Sequence, residues 1–179
     1  MDGHIDLSYE ALDGPRSTQG VKKERAWLAS DLKADNWLVS VNEDAKSEIK
    51  TMIQKMCSHP LPMLLRRPDQ FDIPRLREIF MKCESILDGG IGFAVIDKLP
   101  IDDYDFDNII EVYWTLGQLI GPNVAQKWDG TMVYDVIDTK KTYGYGVRGS
   151  ATSVELLFHT DNAFGIRVPD YVGLLCKHH

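Results

Sequence analysis

Apolar side chains fall at helical spacing three times before the chain changes texture. Ala45, Ile49, Met52, Ile53 and Met56 mark one face of a helix over residues 43–57, because positions three and four apart share a side of a 3.6-residue period. Asn42 stands where a side-chain oxygen caps free N–H groups, and His59, Pro60 and Pro62 end the pattern. The methionines lie on the face a helix must bury, so they read as core filler. A second stripe, Leu76, Ile79, Phe80, Cys83, Ile86 and Leu87, opens on Pro74 and closes on Gly89 and Gly90. The third runs through Ile109, Ile110, Tyr113, Leu116 and Leu119 behind the acidic stretch 102–107. Carboxylates there suit the positive end of a helix, and Gly121 with Pro122 closes it.

After Gly90 the period shortens. Residues 91–96 form a β-branched run that reads as a strand, joined to its helix by two glycines. Leu76, Phe80, Ile86, Phe93, Val95, Tyr113, Leu116 and Leu119 are expected to share one core in which two helices cover this strand's sheet. Beyond Pro122, residues 132–137, 154–158 and 171–176 read as further strands, and 143–150 as a loop rich in glycine and aromatics. Helices first and strands second predict an α+β domain over 26–179. Residues 1–25 mix glycine, proline and charge without periodicity and read as a flexible N-terminal arm. Trp27, Leu28, Leu32, Trp37 and Leu38 are expected to anchor its end in the core.

Composition narrows the classes. With 179 residues and 44% hydrophobic content the chain can bury one sizeable core. Twenty Lys and Arg against 27 Asp and Glu leave a formal charge of −7, which repels phosphate backbones and excludes a general nucleic-acid binder. No apolar run approaches the roughly 18 residues needed to span a bilayer, and the N-terminus has no apolar leader. A cytoplasmic protein without a membrane partner is expected. Cys57, Cys83 and Cys176 are odd in number and widely spaced, predicting buried thiols rather than disulfides or a zinc site.

Candidate chemistry concentrates at His159 and Asp161, at the end of the apolar run 156–158. Side chains at i and i+2 of an extended segment share a face. An imidazole and a carboxylate so placed supply two ligands of a 2-His-1-carboxylate site, which leaves positions open on Fe(II). Spacing alone is more often the mark of a solvated turn, with Asp161 bonding nearby backbone N–H groups. His4 and Asp6 repeat that spacing with no strand before them and read as chance. Gly89 and Gly90 follow a helix and precede a strand, the reverse of a phosphate-binding loop. The 102–107 carboxylates lack the glycine and terminal glutamate of a calcium loop.

The order of parts adds a resemblance. A helix, Gly89-Gly90, strand 91–96, a helix ending in Leu119, Ile120 and Gly121, then Ser153-Val154-Glu155-Leu156-Leu157-Phe158-His159-Thr160-Asp161 and Val168-Pro169-Asp170-Tyr171-Val172-Gly173-Leu174-Leu175-Cys176 follow one another. Together they resemble the N-terminal half of the TauD/TfdA-like Fe(II)/2-oxoglutarate-dependent dioxygenases (clavaminate synthase-like), over roughly residues 75–177. The resemblance implies a partial double-stranded β-helix, or jelly roll, flanked by N-terminal helices. It also implies His159 and Asp161 as catalytic iron ligands, Fe(II) as the metal, and 2-oxoglutarate and O₂ as cosubstrates. A small organic substrate would be hydroxylated with release of succinate and CO₂. Glu155, Arg148 and Tyr145 stand where the family contacts its primary substrate.

At its end the sequence departs from the family. The second iron His and the Arg that pairs with 2-oxoglutarate lie about a hundred residues further on in the family, whereas His178, His179 and Arg167 are the only later candidates here. The domain therefore reads as truncated at its C-terminal end, and no turnover is expected of the 179-residue chain alone. A catalytically silent remnant serving as a binding or interaction module is the alternative. Strand 171–176 would expose an apolar edge, inviting association into a homo-oligomer.

Overall fold

Helix α1 spans Glu43–Ser58, α2 Pro74–Gly89 and α3 Phe106–Gly117 in a computed structural model that describes residues 23–127, 129–147, 149–155, 159–161 and 168–177. The local signals explain α1 closely. Asn42 Oδ1 accepts from Ala45 N at 2.9 Å, the helix stops at His59, and its buried residues are Ala45, Ile49, Met52, Ile53 and Met56. All five are the expected stripe.

The start of α2 is capped from a distance. Ile73 precedes Pro74 and offers no capping oxygen. Instead the Glu48 carboxylate, carried by α1, accepts from Arg75 N and Leu76 N, each at 2.9 Å. Two orphan donors and the positive helix end thereby meet one anion, which also ties the two helices together. Leu76, Phe80 and Cys83 are buried as expected, while Ile79, Ile86 and Leu87 are half-buried.

β1 (Leu38–Val39) and β2 (Val95–Ile96) pair in parallel, Leu38 opposite Val95 and Val39 opposite Ile96. Parallel neighbours need a long crossover, here α1 and α2. β2 is shorter than the expected 91–96 strand because the glycine cap of α2 consumes its beginning. Gly90 N and Gly92 N both donate to Ile86 O, at 3.1 and 3.3 Å, and Gly92 takes φ +90°. Pairing then starts with Val95, whose amide donates to Trp37 O at 2.8 Å.

α1 packs against both α2 and α3. The core joins Val41, Ile49, Met52, Phe71, Ile73, Leu76, Phe80, Ile109, Val112 and Leu116, with Ile96, Leu119 and Leu175 against its edge. Several expected members lie elsewhere. Strand alternation turns Ile96 inward and leaves Val95 44% exposed. Phe93 stacks between Trp27 and Trp37, centroids 5.4 and 6.0 Å away, and so joins a separate aromatic cluster. Leu28 is exposed and does not anchor the N-terminal segment. That work falls to Trp27, whose indole N–H donates to Ile91 O, and to Arg25, which donates to Leu87 O and Asp88 O at the end of α2. Residues 1–22 lie outside the described residues.

α3 buries Val112, Trp114 and Thr115 beside Ile109 and Leu116, whereas Ile110 and Tyr113 are only half-buried. A helix covered on more than one side loses a clean apolar stripe. Of the three cysteines only Cys83 is buried. Cys57 sits on the outer side of α1, its Sγ 3.7 Å from Asn108 Oδ1, and Cys176 is exposed. The expectation of buried thiols fails for both, because neither faces the core.

In the second half, residues 132–137, 154–155 and 171–176 carry no assigned strand. Val136 and Ile137 are 58% and 60% exposed. Residues 156–158 lie outside the described residues.

Candidate functional site

His159 and Asp161 meet. Two positions apart along the chain, with Asp161 in a turn, Nε2 of His159 lies 3.4 Å from Oδ1 of Asp161. Two donors each about 2.1 Å from a common ion stand roughly 3.0–3.5 Å apart when they subtend about 90–110° at it. The observed 3.4 Å falls within that range, and it is also the distance of a direct imidazole–carboxylate contact. Both side chains are about half exposed, 55% and 54%, so a cation reaches them from solvent. An imidazole nitrogen with a carboxylate oxygen is the donor set that Fe(II) accepts.

Among the described residues no three His, Cys, Asp or Glu side chains gather in a metal-binding group. His59 lies at the end of α1, its Nδ1 3.0 Å from Ser58 Oγ. His178, His179 and Arg167 lie outside the described residues.

Of the residues expected to touch substrate, Glu155 and Tyr145 are among the described residues. Glu155 is exposed, and Tyr145 is fully exposed at a tight turn where Val147 N donates to Gly144 O at 3.0 Å. Gly146 takes φ +78° there, the left-handed region that glycine enters without strain. Among the described residues no hydrogen bond or ion pair links Glu155 or Tyr145 to His159 or Asp161. Arg148 lies outside the described residues.

Beside that turn lies a groove of which sequence reasoning named only the glycine-rich loop. It has a volume of about 340 Å³ and is lined by Lys127, Tyr134, Thr139, Lys141, Val147 and Ser150, among others. Thr139 closes one side, its N–H and hydroxyl both donating to Ala151 O, at 2.9 and 2.7 Å. Lys127 Nζ stands 5.0 Å from the Tyr134 ring centroid. Next to the groove, Lys140 donates to the Asp138 carboxylate through both its ammonium and its backbone N–H, holding that carboxyl below its ordinary range. The sequence signal for it was the glycine- and aromatic-rich loop 143–150, which supplies Gly146, Val147 and Ser150 to its lining.

No protein-family model matches the chain. Over 149 residues it is 24% identical to FR-33289 synthase of Streptomyces rubellomurinus, a match covering 80% of this chain and 41% of that protein. The chain is thus distantly similar to an enzyme and spans about two-fifths of that relative's length. No helix among the described residues is long and apolar enough to cross a membrane.

Proposed function

We propose that this chain carries the first two iron ligands of an Fe(II)/2-oxoglutarate-dependent dioxygenase that hydroxylates a small organic substrate. The observation that carries the reading is the 3.4 Å approach of His159 Nε2 to Asp161 Oδ1 within the His-Thr-Asp phrase. The TauD/TfdA-like order of parts and the distant similarity to a synthase support it. His159 offers an imidazole nitrogen and Asp161 a carboxylate oxygen 3.4 Å apart. When bound, iron would supply the activation of O₂ with 2-oxoglutarate as co-reductant. The protein's part is to hold those two donors and to leave the remaining positions open. The jelly roll implied by the resemblance belongs to this reading.

The test is anaerobic titration with Fe(II) and 2-oxoglutarate. A charge-transfer absorbance should appear with the wild-type chain and vanish in Asp161→Ala. Its absence from both overturns the reading.

A second reading, an interaction module without catalysis, is favoured by one observation. Val136, Ile137, Val172 and Leu174 present apolar surface to solvent, from 58% to 81% exposed. Stoichiometric iron binding would set it aside.

A further inference from the structure

The groove of about 340 Å³ is framed by backbone turns, each closed by its own hydrogen bonds. Gln126 N and Lys127 N donate to Thr131 O at 2.7 and 3.3 Å, while Asp129 Oδ1 accepts from both N and Oγ1 of Thr131, so the backbone that carries Lys127 is fixed. Lys140 sits in the left-handed region at φ +60°, where its amide and ammonium both reach Asp138, and Lys141 follows directly. Further along, Val147 N donates to Gly144 O, Thr152 N donates to Gly149 O, and Thr139 binds Ala151 O. A frame of this kind stands before any ligand arrives.

The lining decides which chemistry the frame suits. Lys127 and Lys141 bring two ammoniums, Ser150 a hydroxyl and Tyr134 a ring, and Asp135 is the single carboxylate among the described lining residues. Lys140 directs its charge to Asp138 at 2.9 Å, and Asp129 is occupied by Thr131. In a chain of net charge −7 the groove is thus a locally positive place. Two ammoniums exceed what one carboxylate neutralises. A phosphate monoester carries a charge of about −1.5 to −2 near pH 7 and three acceptor oxygens, which suits two ammoniums and a hydroxyl. Because Lys127 Nζ stands 5.0 Å from the Tyr134 ring centroid, one small molecule can meet the ammonium with its anion and the ring with a flat face.

We propose that this groove binds a phosphate monoester borne on a planar ring, its phosphate on Lys127 and Lys141 and its ring against Tyr134. The site uses neither His159 nor Asp161 and does not rest on the iron reading.

Phenyl phosphate, which has both parts and nothing more, is the probe, titrated into the ¹⁵N-labelled full chain while amide shifts are followed. Saturable shifts should appear at Lys127, Tyr134, Lys141, Val147 and Ser150. Lys127→Ala and Lys141→Ala should each weaken binding about fivefold to tenfold, the loss of one charge-assisted contact, while Lys50→Ala on α1 should leave it unchanged and so controls for bulk charge. Tyr134→Ala should weaken it as well, and Tyr134→Phe, which keeps the ring, should restore it. Inorganic phosphate and benzoate should each bind more weakly than phenyl phosphate. Asp161→Ala should bind as wild type does, so failure of the iron reading leaves this result standing. Shifts absent from the groove overturn the site, as does a Lys50→Ala loss equal to that of Lys127→Ala and Lys141→Ala. Benzoate or inorganic phosphate binding as tightly as phenyl phosphate overturns the ligand class.

Discussion

Removing the Glu111 carboxylate should destabilise the helical core through a residue it only touches, Arg66. The Arg66 side chain is 3% exposed and lies where α1 ends, donating from Nη2 to Met56 O and His59 O at 3.2 and 3.1 Å. Its Nε donates to Glu111 Oε2 on α3 at 3.2 Å. Glu111→Ala leaves a buried guanidinium whose remaining partners are neutral carbonyls. Breaking a buried pair in this way costs about 3–5 kcal/mol, and the 29% exposure of the Glu111 side chain lets water take part of the load. The expected loss is about 2–3 kcal/mol, or roughly 4–12 °C in Tm for a chain of this size. Arg66→Met should itself cost about 2–4 kcal/mol, since it strips the last carbonyls of α1 of their donor. Once the guanidinium is gone, Glu111→Ala should add little. The double variant should therefore fall short of the summed single losses by about 2–3 kcal/mol, nearly the whole Glu111→Ala loss. Urea titration of all four chains, with slopes held common, measures this cycle. Additive losses, or Glu111→Ala within about 0.5 kcal/mol of wild type, would refute the reasoning.

Glu48→Ala should cost about 1–2 kcal/mol by uncapping α2, and circular dichroism under increasing urea should show it; a neutral outcome means water caps Arg75 and Leu76 as well. Phe80→Ala should cost about 3–5 kcal/mol, since its ring lies in the core at 9% exposure, and a loss within about 0.5 kcal/mol would contradict that burial. Burial pushes the Cys83 thiol up from its ordinary range, so near neutral pH it holds even less thiolate than a free cysteine. Maleimide on the native chain should mark Cys57 and Cys176 and leave Cys83 until denaturant is added. Raising the pH without unfolding should speed Cys83 only weakly, and rapid native labelling there would contradict its placement.

What the sequence determined by itself is local. The α1 stripe, its Asn42 cap, the stop at His59, and the Pro74 start and glycine end of α2 are set by side chains within a turn or two of the backbone groups they serve. The approach of His159 to Asp161 belongs to the same class, since the two lie only two positions apart along the chain. Where a partner lies far along the chain, tertiary structure decided. Glu48 caps a helix that begins 26 residues later, and no capping motif encodes that. Val95 and Ile96 have the same character in sequence, and only the pairing of β2 with β1 turns Ile96 to the core and Val95 to solvent. Cys57 and Cys176 look like Cys83 by type, but burial depends on which surfaces α1, α3 and residues 168–177 cover. Apolar periodicity records the face an element can bury. Which neighbour arrives to bury it is settled by contacts tens of residues apart, and local spacing carries no trace of them.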